Sequence, residues 1–140
     1  MTNPALVARK LSALTEQVRR LRDRRPSELD TLRKDLLLQD GIGLSLLVAV
    51  QEAIDIALHI ATDEGWGIAS SYRESFELLA KHGVIDAPLS IALANTATLR
   101  NRIAHGYATI DIDRLWAELP AGIASFDAFA AAIARYLQPA

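Results

Sequence analysis

The sequence contains no cysteine, so it can form neither a disulfide bond nor a thiolate metal site. Aromatic residues make up only 6% of its 140 residues, whereas alanine and leucine supply much of a hydrophobic fraction of 51%. Such a composition favours helices over sheets. No stretch alternates convincingly between apolar and polar residues, as a half-buried strand would. These absences predict an all-α fold, and the length predicts one domain over residues 1–140.

Further absences exclude common classes of protein. The longest apolar run, residues 42–50, is too short to span a bilayer, and the N-terminus lacks the apolar core of a signal peptide. We therefore expect a cytoplasmic protein that does not cross a membrane. The H-E-x-x-H and H-x-x-E-H patterns of zinc hydrolases are missing, as are the G-x-x-x-x-G-K and G-x-G-x-x-G loops that bind nucleotides. Neither a metal nor a cofactor is expected.

Charge is unevenly distributed along the chain. The net charge of −2 argues against a general nucleic-acid coat, but residues 1–34 carry nine Lys and Arg against four acidic residues. Five of the arginines lie between Arg19 and Arg25. They could bind a phosphate backbone or an acidic partner, or they could form a solvated helix end.

Apolar residues at helical spacing, together with capping residues, predict five helices. Pro26 should end the first helix, and a bend is expected in the second at Gly41–Gly43. Gly83 should cap the C-terminus of the third helix, and Asp86 the N-terminus of the fourth. The fifth is expected to kink near Pro120. The predicted spans are residues 4–24, 28–61, 72–82, 88–105 and 111–137.

The second predicted helix is apolar on nearly all sides over residues 42–62, which indicates a central position in the bundle. Its few polar residues share one narrow stripe, because they are spaced by three, four or seven positions. An unpaired buried carboxylate is costly, so the stripe should reach water, a cleft or a partner chain. A solvated edge and a cleft both stay open. The stripe consists of Ser45, Glu52, Asp55, His59 and Thr62.

Arg100 lies at the centre of the apolar face of the fourth predicted helix. An arginine in that position needs an acidic partner or a cleft to line, and Glu52 and Asp55 are the expected partners. The opposite face carries Ala94 and Thr98, whose small side chains would let a second helix approach closely.

His105 follows Arg100 by five residues, so on an ideal helix the two side chains diverge by roughly 140°. Either the helix loosens before Gly106, or another subunit completes the site. Taken alone, a histidine at this position would most simply cap the helix C-terminus. His59 and His82 are expected to be structural or surface residues rather than ligands.

The stretch RNRIAH, Arg100 to His105, resembles the R-x4-6-H signature of HEPN-domain ribonucleases, including the frequent polar residue after the arginine, here Asn101. The extension to HGY is similar to the HepT toxin branch of that family. Three flanking blocks resemble the same branch in the same order, over most of the chain, while the first 40 residues match least. These blocks are QEAIDIALHI, SYRESFELLAKHGVID and GYATIDIDRLW.

The resemblance implies an up-and-down bundle of about five helices that forms a homodimer, with the motifs of both chains facing one cleft. It implies a metal-independent endoribonuclease that acts as the toxin of a type VII toxin–antitoxin system, with transfer RNA among the family's targets. The partner would be a minimal nucleotidyltransferase antitoxin of the MntA type. In the family that enzyme attaches AMP to the motif tyrosine, which corresponds to Tyr107.

The residue types suit cleavage of RNA by attack of its 2′-hydroxyl on the adjacent phosphorus. His105 can serve as general acid or base, because imidazole titrates near neutral pH. Arg100 can supply positive charge and a bidentate contact to phosphate. Asn101 could orient His105 or contact RNA, and Arg102 could be a second phosphate contact. One such histidine per chain falls short of an acid–base pair, which a dimer would provide.

Two other functions remain open on the sequence. The chain could be a catalytically silent HEPN module that binds a partner protein or RNA. Alternatively, it could be the antitoxin that restrains a toxic nucleotidyltransferase.

Overall fold

The computed structural model of the chain describes residues 2–105 and 111–139. In that part of the chain the fold is all-α, with six helices and no strand, so the predicted fold class is confirmed with one helix more than expected. The helices are α1 (Pro4–Arg24), α2 (Leu29–Lys34), α3 (Leu36–Asp63), α4 (Tyr72–Lys81), α5 (Ala87–His105) and α6 (Ile112–Leu137).

The five longer helices each begin at a side-chain cap supplied by the sequence. In each case an oxygen of the residue before the helix accepts a hydrogen bond from a backbone N–H of the first turn, which otherwise has no partner. Gly83 adopts a left-handed φ of 78° just beyond α4, as predicted. The capping residues are Asn3 for α1, Asp35 for α3, Ser71 for α4, Asp86 for α5 and Asp111 for α6.

The additional helix arises because the second predicted helix is interrupted at Asp35. Asp35 leaves the helical conformation and its carboxylate caps Leu38 N, so a short α2 is separated from α3. Helix α3 then continues through Gly41, where we expected a bend. The side chain of Arg24 covers Gly41 and donates to Ser45 Oγ at 3.1 Å. Tertiary packing of this kind outweighs the low helix propensity of glycine.

Helix α3 is the centre of the bundle, as predicted, and packs against every other helix. By length and composition α3 and α6 could each cross a membrane, but 56% and 44% of their apolar windows are buried inside the bundle. That burial is usual for core helices. Side chains that form the fully buried core include Leu14, Leu46, Phe76, Leu93 and Phe126.

The arginines at the end of α1 contact other residues of the same chain. Arg19 bonds to Glu16 at 2.6 Å, and this hydrogen bond is the main cause that lowers the pKa of Glu16 to about 2. Arg22 pairs with Asp127 on α6. These contacts favour the interpretation of a solvated helix end over a phosphate-binding patch. The remaining contacts are Arg20 with Glu16, Arg24 with Ser45 and Arg25 over the ring of Trp116 at 3.9 Å.

Candidate active site

The guanidinium of Arg100 is held near the end of α5 by two neutral side chains. Its Nη1 donates to Asn101 Oδ1 at 2.8 Å, and its Nη2 donates to Gln51 Oε1 on α3 at 2.7 Å. Its Nε is buried and has no hydrogen-bond partner among the described residues. Because both acceptors are amide oxygens, they orient the guanidinium without neutralising its charge. The arrangement suits stabilisation of an anionic group such as a phosphate.

The expected ion pair between Arg100 and Glu52 or Asp55 is not among the contacts of the described residues. Asp55 is connected to Arg100 through Gln51, because its Oδ1 accepts from Gln51 Nε2 at 2.8 Å. Its other oxygen lies 3.5 Å from Lys10 Nζ on α1. Arg100 is only partly buried, so its charge does not require a carboxylate, and the two amide oxygens accept only from its Nη atoms. Glu52 Oε2 is buried and has no hydrogen-bond partner within the described part of the chain.

The polar stripe of α3 is partly covered by α1 rather than fully solvated. Ser45 is buried beneath Arg24, and Asp55 contacts Lys10. A shallow groove of about 320 Å³ lies farther along the stripe. It is lined by Asp55, Leu58, His59 and Thr62 of α3 and by Lys10 of α1. The stripe therefore forms a shallow groove beside α1.

Asn101 and Arg102 lie on different sides of α5. Asn101 Oδ1 accepts a hydrogen bond from Arg100, so this side chain contacts the arginine. Arg102 is about 200° around the helix from Arg100. Its Nη1 lies 3.9 Å from Glu118 Oε2 on α6, an oxygen that also accepts from Arg114. The structure thus groups Asn101 with Arg100 and separates Arg102 from both.

His105 is the last residue of α5, and the helix continues to it without interruption. The backbone therefore gives no sign of loosening up to His105, and the position of the imidazole relative to Arg100 stays a prediction. Ideal helical geometry then leaves Arg100 and His105 on different faces, roughly 140° apart. The side chain of His105 and the whole of Tyr107 lie outside the described residues.

The small-residue face of α5 is not available to a second subunit, contrary to our expectation. Ala94 is buried within the protomer, and Thr98 Oγ1 forms a hydrogen bond with Tyr72 OH on α4 at 3.0 Å. The helix that approaches this face is α4 of the same chain. Ala94 and Thr98 therefore offer no free surface to a second subunit.

A different apolar surface is exposed on α3. Leu37 and Leu44 are 83% and 63% exposed, and they lie seven residues apart. A further step of seven reaches Gln51, so all three occupy one face with a drift of only about 20° per heptad. Leu36 is also exposed at the start of the helix. This surface, which we call the α3 face (Leu37, Leu44 and Gln51), joins an unpacked apolar area to the Arg100 site.

Sequence reasoning missed both Gln51 and the α3 face. The apolar run of residues 42–50 gave no sign of which positions stay exposed, because the helix is apolar on most sides. The spacing of 37, 44 and 51 would have been the available signal. The two other histidines have contacts that suit structural roles: His59 Nε2 lies 3.0 Å from Asp63 Oδ2, and His82 stacks on Trp66 at 4.1 Å.

Comparison with known proteins extends the resemblance found in the motif. A family model described as ribonuclease HepT-like matches residues 14–133. The mRNA nuclease HepT of Shewanella oneidensis is 40% identical over 81 residues, which are 58% of this chain and 61% of that protein. The sequence alignment therefore spans less than two thirds of the curated relative.

Solved structures match over nearly the whole chain. The tri-AMPylated Shewanella oneidensis HEPN toxin in complex with MNT antitoxin aligns with a TM-score of 0.85 and 28% identity, over 96% of this chain and 99% of that one. A toxin–antitoxin structure with AMP-PNP aligns with a TM-score of 0.83 and 28% identity, over 95% and 99%. Both the motif and the helical architecture lead to the same assignment: the chain belongs to the ribonuclease HepT-like family.

Proposed function

We propose that this protein is the toxin of a type VII toxin–antitoxin system, an endoribonuclease that works as a homodimer without a metal ion. The observation that carries the proposal is the state of Arg100, whose guanidinium is fixed by Gln51 and Asn101 while its charge stays unpaired among the described residues. Family membership supports the same activity. A fixed, uncompensated cation at the arginine of an R-N-x3-H motif suits the binding of a scissile phosphate.

The proposed reaction is an attack of the RNA 2′-oxygen on the adjacent phosphorus. One His105 accepts the 2′-hydroxyl proton as the bond to phosphorus forms. The His105 of the partner subunit donates a proton to the 5′-oxygen as its bond to phosphorus breaks. Arg100 stabilises the negative charge that develops on the phosphorane oxygens. The products are a 2′,3′-cyclic phosphate and a free 5′-hydroxyl, so protons and charge balance without a metal.

Homodimerisation is supported by two features of the protomer. On an ideal helix positions 100 and 105 lie roughly 140° apart, which favours a second chain that brings an imidazole to the phosphate bound by Arg100. The α3 face presents exposed apolar side chains on the same side of the helix as Gln51, with Leu44 about 10 Å away along the axis. Burial of this face in a symmetric dimer would bring the Arg100 sites of both chains towards one cleft.

Cleavage of RNA in the presence of EDTA tests the proposal directly. We expect the purified protein to cut both a messenger RNA transcript and transfer RNA at some rate, with products that end in a 2′,3′-cyclic phosphate. Mass spectrometry of short products identifies their ends. The relative cleavage rates of the two RNAs show which class is preferred. Loss of activity in EDTA that Mg²⁺ restores, or products with a 3′-hydroxyl, would contradict the metal-independent mechanism.

The proposed regulator is a minimal nucleotidyltransferase that transfers AMP to Tyr107. The matching Shewanella toxin is tri-AMPylated and bound to an MNT antitoxin, which supports this form of control. The tyrosine oxygen would attack the α-phosphorus of ATP and release pyrophosphate. Each added AMP places an anionic phosphate near the position where RNA phosphate binds, so substrate is repelled and blocked sterically. Such a toxin acts in the cytoplasm, where RNA and ATP are both present.

Substitution Tyr107→Phe should separate activity from its regulation. The phenylalanine ring keeps the shape of the side chain but has no oxygen to accept AMP. We expect RNA cleavage within about twofold of the unsubstituted protein and no protection by the antitoxin with ATP, because activity needs only the groups at the phosphate. Intact-protein mass and cleavage after incubation with both partners measure the effect. Tyr72→Phe serves as the matched control, and silencing of Tyr107→Phe through AMP transfer would refute the assignment.

A further inference from the structure

We infer that Gln51 is the positioning residue of this site: its amide holds the Arg100 guanidinium in place for phosphate, and Asp55 sets the direction in which that amide points. The inference rests on the proposed ribonuclease function. It concerns residues of α3 that lie outside the R-N-x3-H-x-Y motif. Gln51 belongs to a helix that is distant in sequence and reaches the arginine only in the folded protein.

The amide of Gln51 can satisfy its two neighbours in only one orientation. Its Oε1 accepts from Arg100 Nη2 at 2.7 Å, while its Nε2 donates to Asp55 Oδ1 at 2.8 Å. A reversed amide would place the oxygen against the carboxylate and the NH₂ group against the guanidinium, and both contacts would be repulsive. Gln51 and Asp55 are four residues apart on α3, which places their side chains on one face.

Asp55 is itself held by α1. Its second carboxylate oxygen lies 3.5 Å from Lys10 Nζ, and both side chains are largely covered. The contacts form a continuous relay across three helices, from Lys10 on α1 through Asp55 and Gln51 on α3 to Arg100 on α5. Each member fixes the orientation of the next, as a preorganised site requires.

A neutral amide has an advantage over a carboxylate at this position. Glutamate would have the same length, but its charge would pair with the guanidinium and reduce the attraction between Arg100 and phosphate. Gln51 and Asn101 each take one N–H donor of Arg100 and leave the second N–H of Nη1 and of Nη2 for a ligand, whereas Nε is buried. The structure thus assigns glutamine a role that depends on its being both polar and uncharged.

Two substitutions of Gln51 test the two parts of this role. Gln51→Met keeps the length but removes the acceptor, and we expect kcat for RNA cleavage to fall about 10-fold with KM changed less than about threefold. Gln51→Glu should lower kcat by about 100-fold, because it also neutralises the cation that stabilises the transition state. Gln138→Glu, beyond the end of α6, controls for added charge. Gln51 is exposed in the protomer but belongs to the α3 face, so each variant is first shown by sedimentation velocity to stay dimeric and by its melting temperature to stay folded.

A double-mutant cycle tests whether Asp55 acts through Gln51. Asp55→Ala alone should lower kcat by about fivefold, but in the Gln51→Met background it should change kcat less than about twofold. Independent, multiplicative effects of the two substitutions would overturn the relay. So would a kcat for Gln51→Met within twofold of the unsubstituted protein, or a loss of activity that merely follows a lower melting temperature.

NMR of the arginine side chains separates this inference from the proposed function. Rotation of the Arg100 guanidinium should be slow in the unsubstituted protein and fast in Gln51→Met, with Arg100→Lys used to assign its signals. If the protein cuts no RNA but this difference is observed, the ribonuclease proposal fails and the positioning contact stands. If rotation is the same in both proteins, the positioning role is refuted whether or not RNA is cut.

Discussion

Replacement of His105 by alanine is expected to abolish RNA cleavage, with a loss of about 10³-fold or more. The imidazole is the only group assigned to move a proton in each protomer, and in a symmetric dimer one substitution removes both the acid and the base. Arg100 would remain to bind the phosphate, so RNA affinity should change far less than kcat. Initial rates with a fluorescent oligonucleotide, combined with a binding titration, measure the two quantities separately.

His82→Ala is the matched control for the His105 substitution. His82 is exposed and stacks on Trp66 just beyond α4, so its loss removes a histidine without touching the Arg100 network. Its cleavage rate should stay within about twofold of the unsubstituted protein. Growth arrest on expression separates the competing functions: it should vanish with His105→Ala if the chain is an enzyme. Growth arrest that persists would favour a binding module. Arrest by the nucleotidyltransferase expressed alone would favour the alternative in which this chain is the antitoxin.

Leu44→Glu is expected to convert the protein into a monomer and to remove its ribonuclease activity. Leu44 is 63% exposed in the protomer, in the middle of the α3 face. A buried leucine contributes about 2 kcal/mol. In a symmetric dimer the loss occurs twice, so the dissociation constant should rise by about 10³-fold. Sedimentation velocity at micromolar concentration would measure the change in mass.

The control for Leu44→Glu is Ile68→Glu. Ile68 is 89% exposed in the segment between α3 and α4, so the same kind of substitution is made outside the α3 face. It should leave both the mass and the cleavage rate unchanged. A Leu44→Glu protein that stays dimeric would show that the subunits meet on another surface. A monomeric Leu44→Glu protein with full activity would show that a single chain is sufficient.

The helices of this protein were largely predictable because their ends are encoded locally. Asn3 before Pro4 and Asp86 before α5 are capping signals that need no tertiary information. The break at Asp35 was not predicted, although aspartate is a good cap, because the glycines at 41 and 43 were a stronger local signal for a bend. Burial of Gly43 and the cover that Arg24 gives to Gly41 keep α3 helical there, and neither can be read from α3 alone.

The candidate site was predictable for Arg100 and Asn101 of the motif and in part for Asp55, which was expected to contact Arg100 directly and reaches it through Gln51. Arg100 and Asn101 are adjacent in sequence and contact each other. Gln51 lies in a block that resembles the family, yet nothing in its local pattern distinguishes it from Glu52, which has a charge and was preferred as a partner. A turn of about 100° between neighbouring helical positions decides which of the two faces Arg100. Only the packing of α3 against α5 fixes that angle.

A mixed dimer with a single His105 gives the most direct test of the shared cleft. Co-expression of the unsubstituted chain and His105→Ala with different affinity tags, followed by two purification steps, isolates it. Because one imidazole must act as base and the other as acid, the mixed dimer should cleave RNA at least about 10²-fold more slowly than the dimer with two histidines. A mixed dimer with half of the full rate would mean that each protomer carries a complete active site, and would contradict the account.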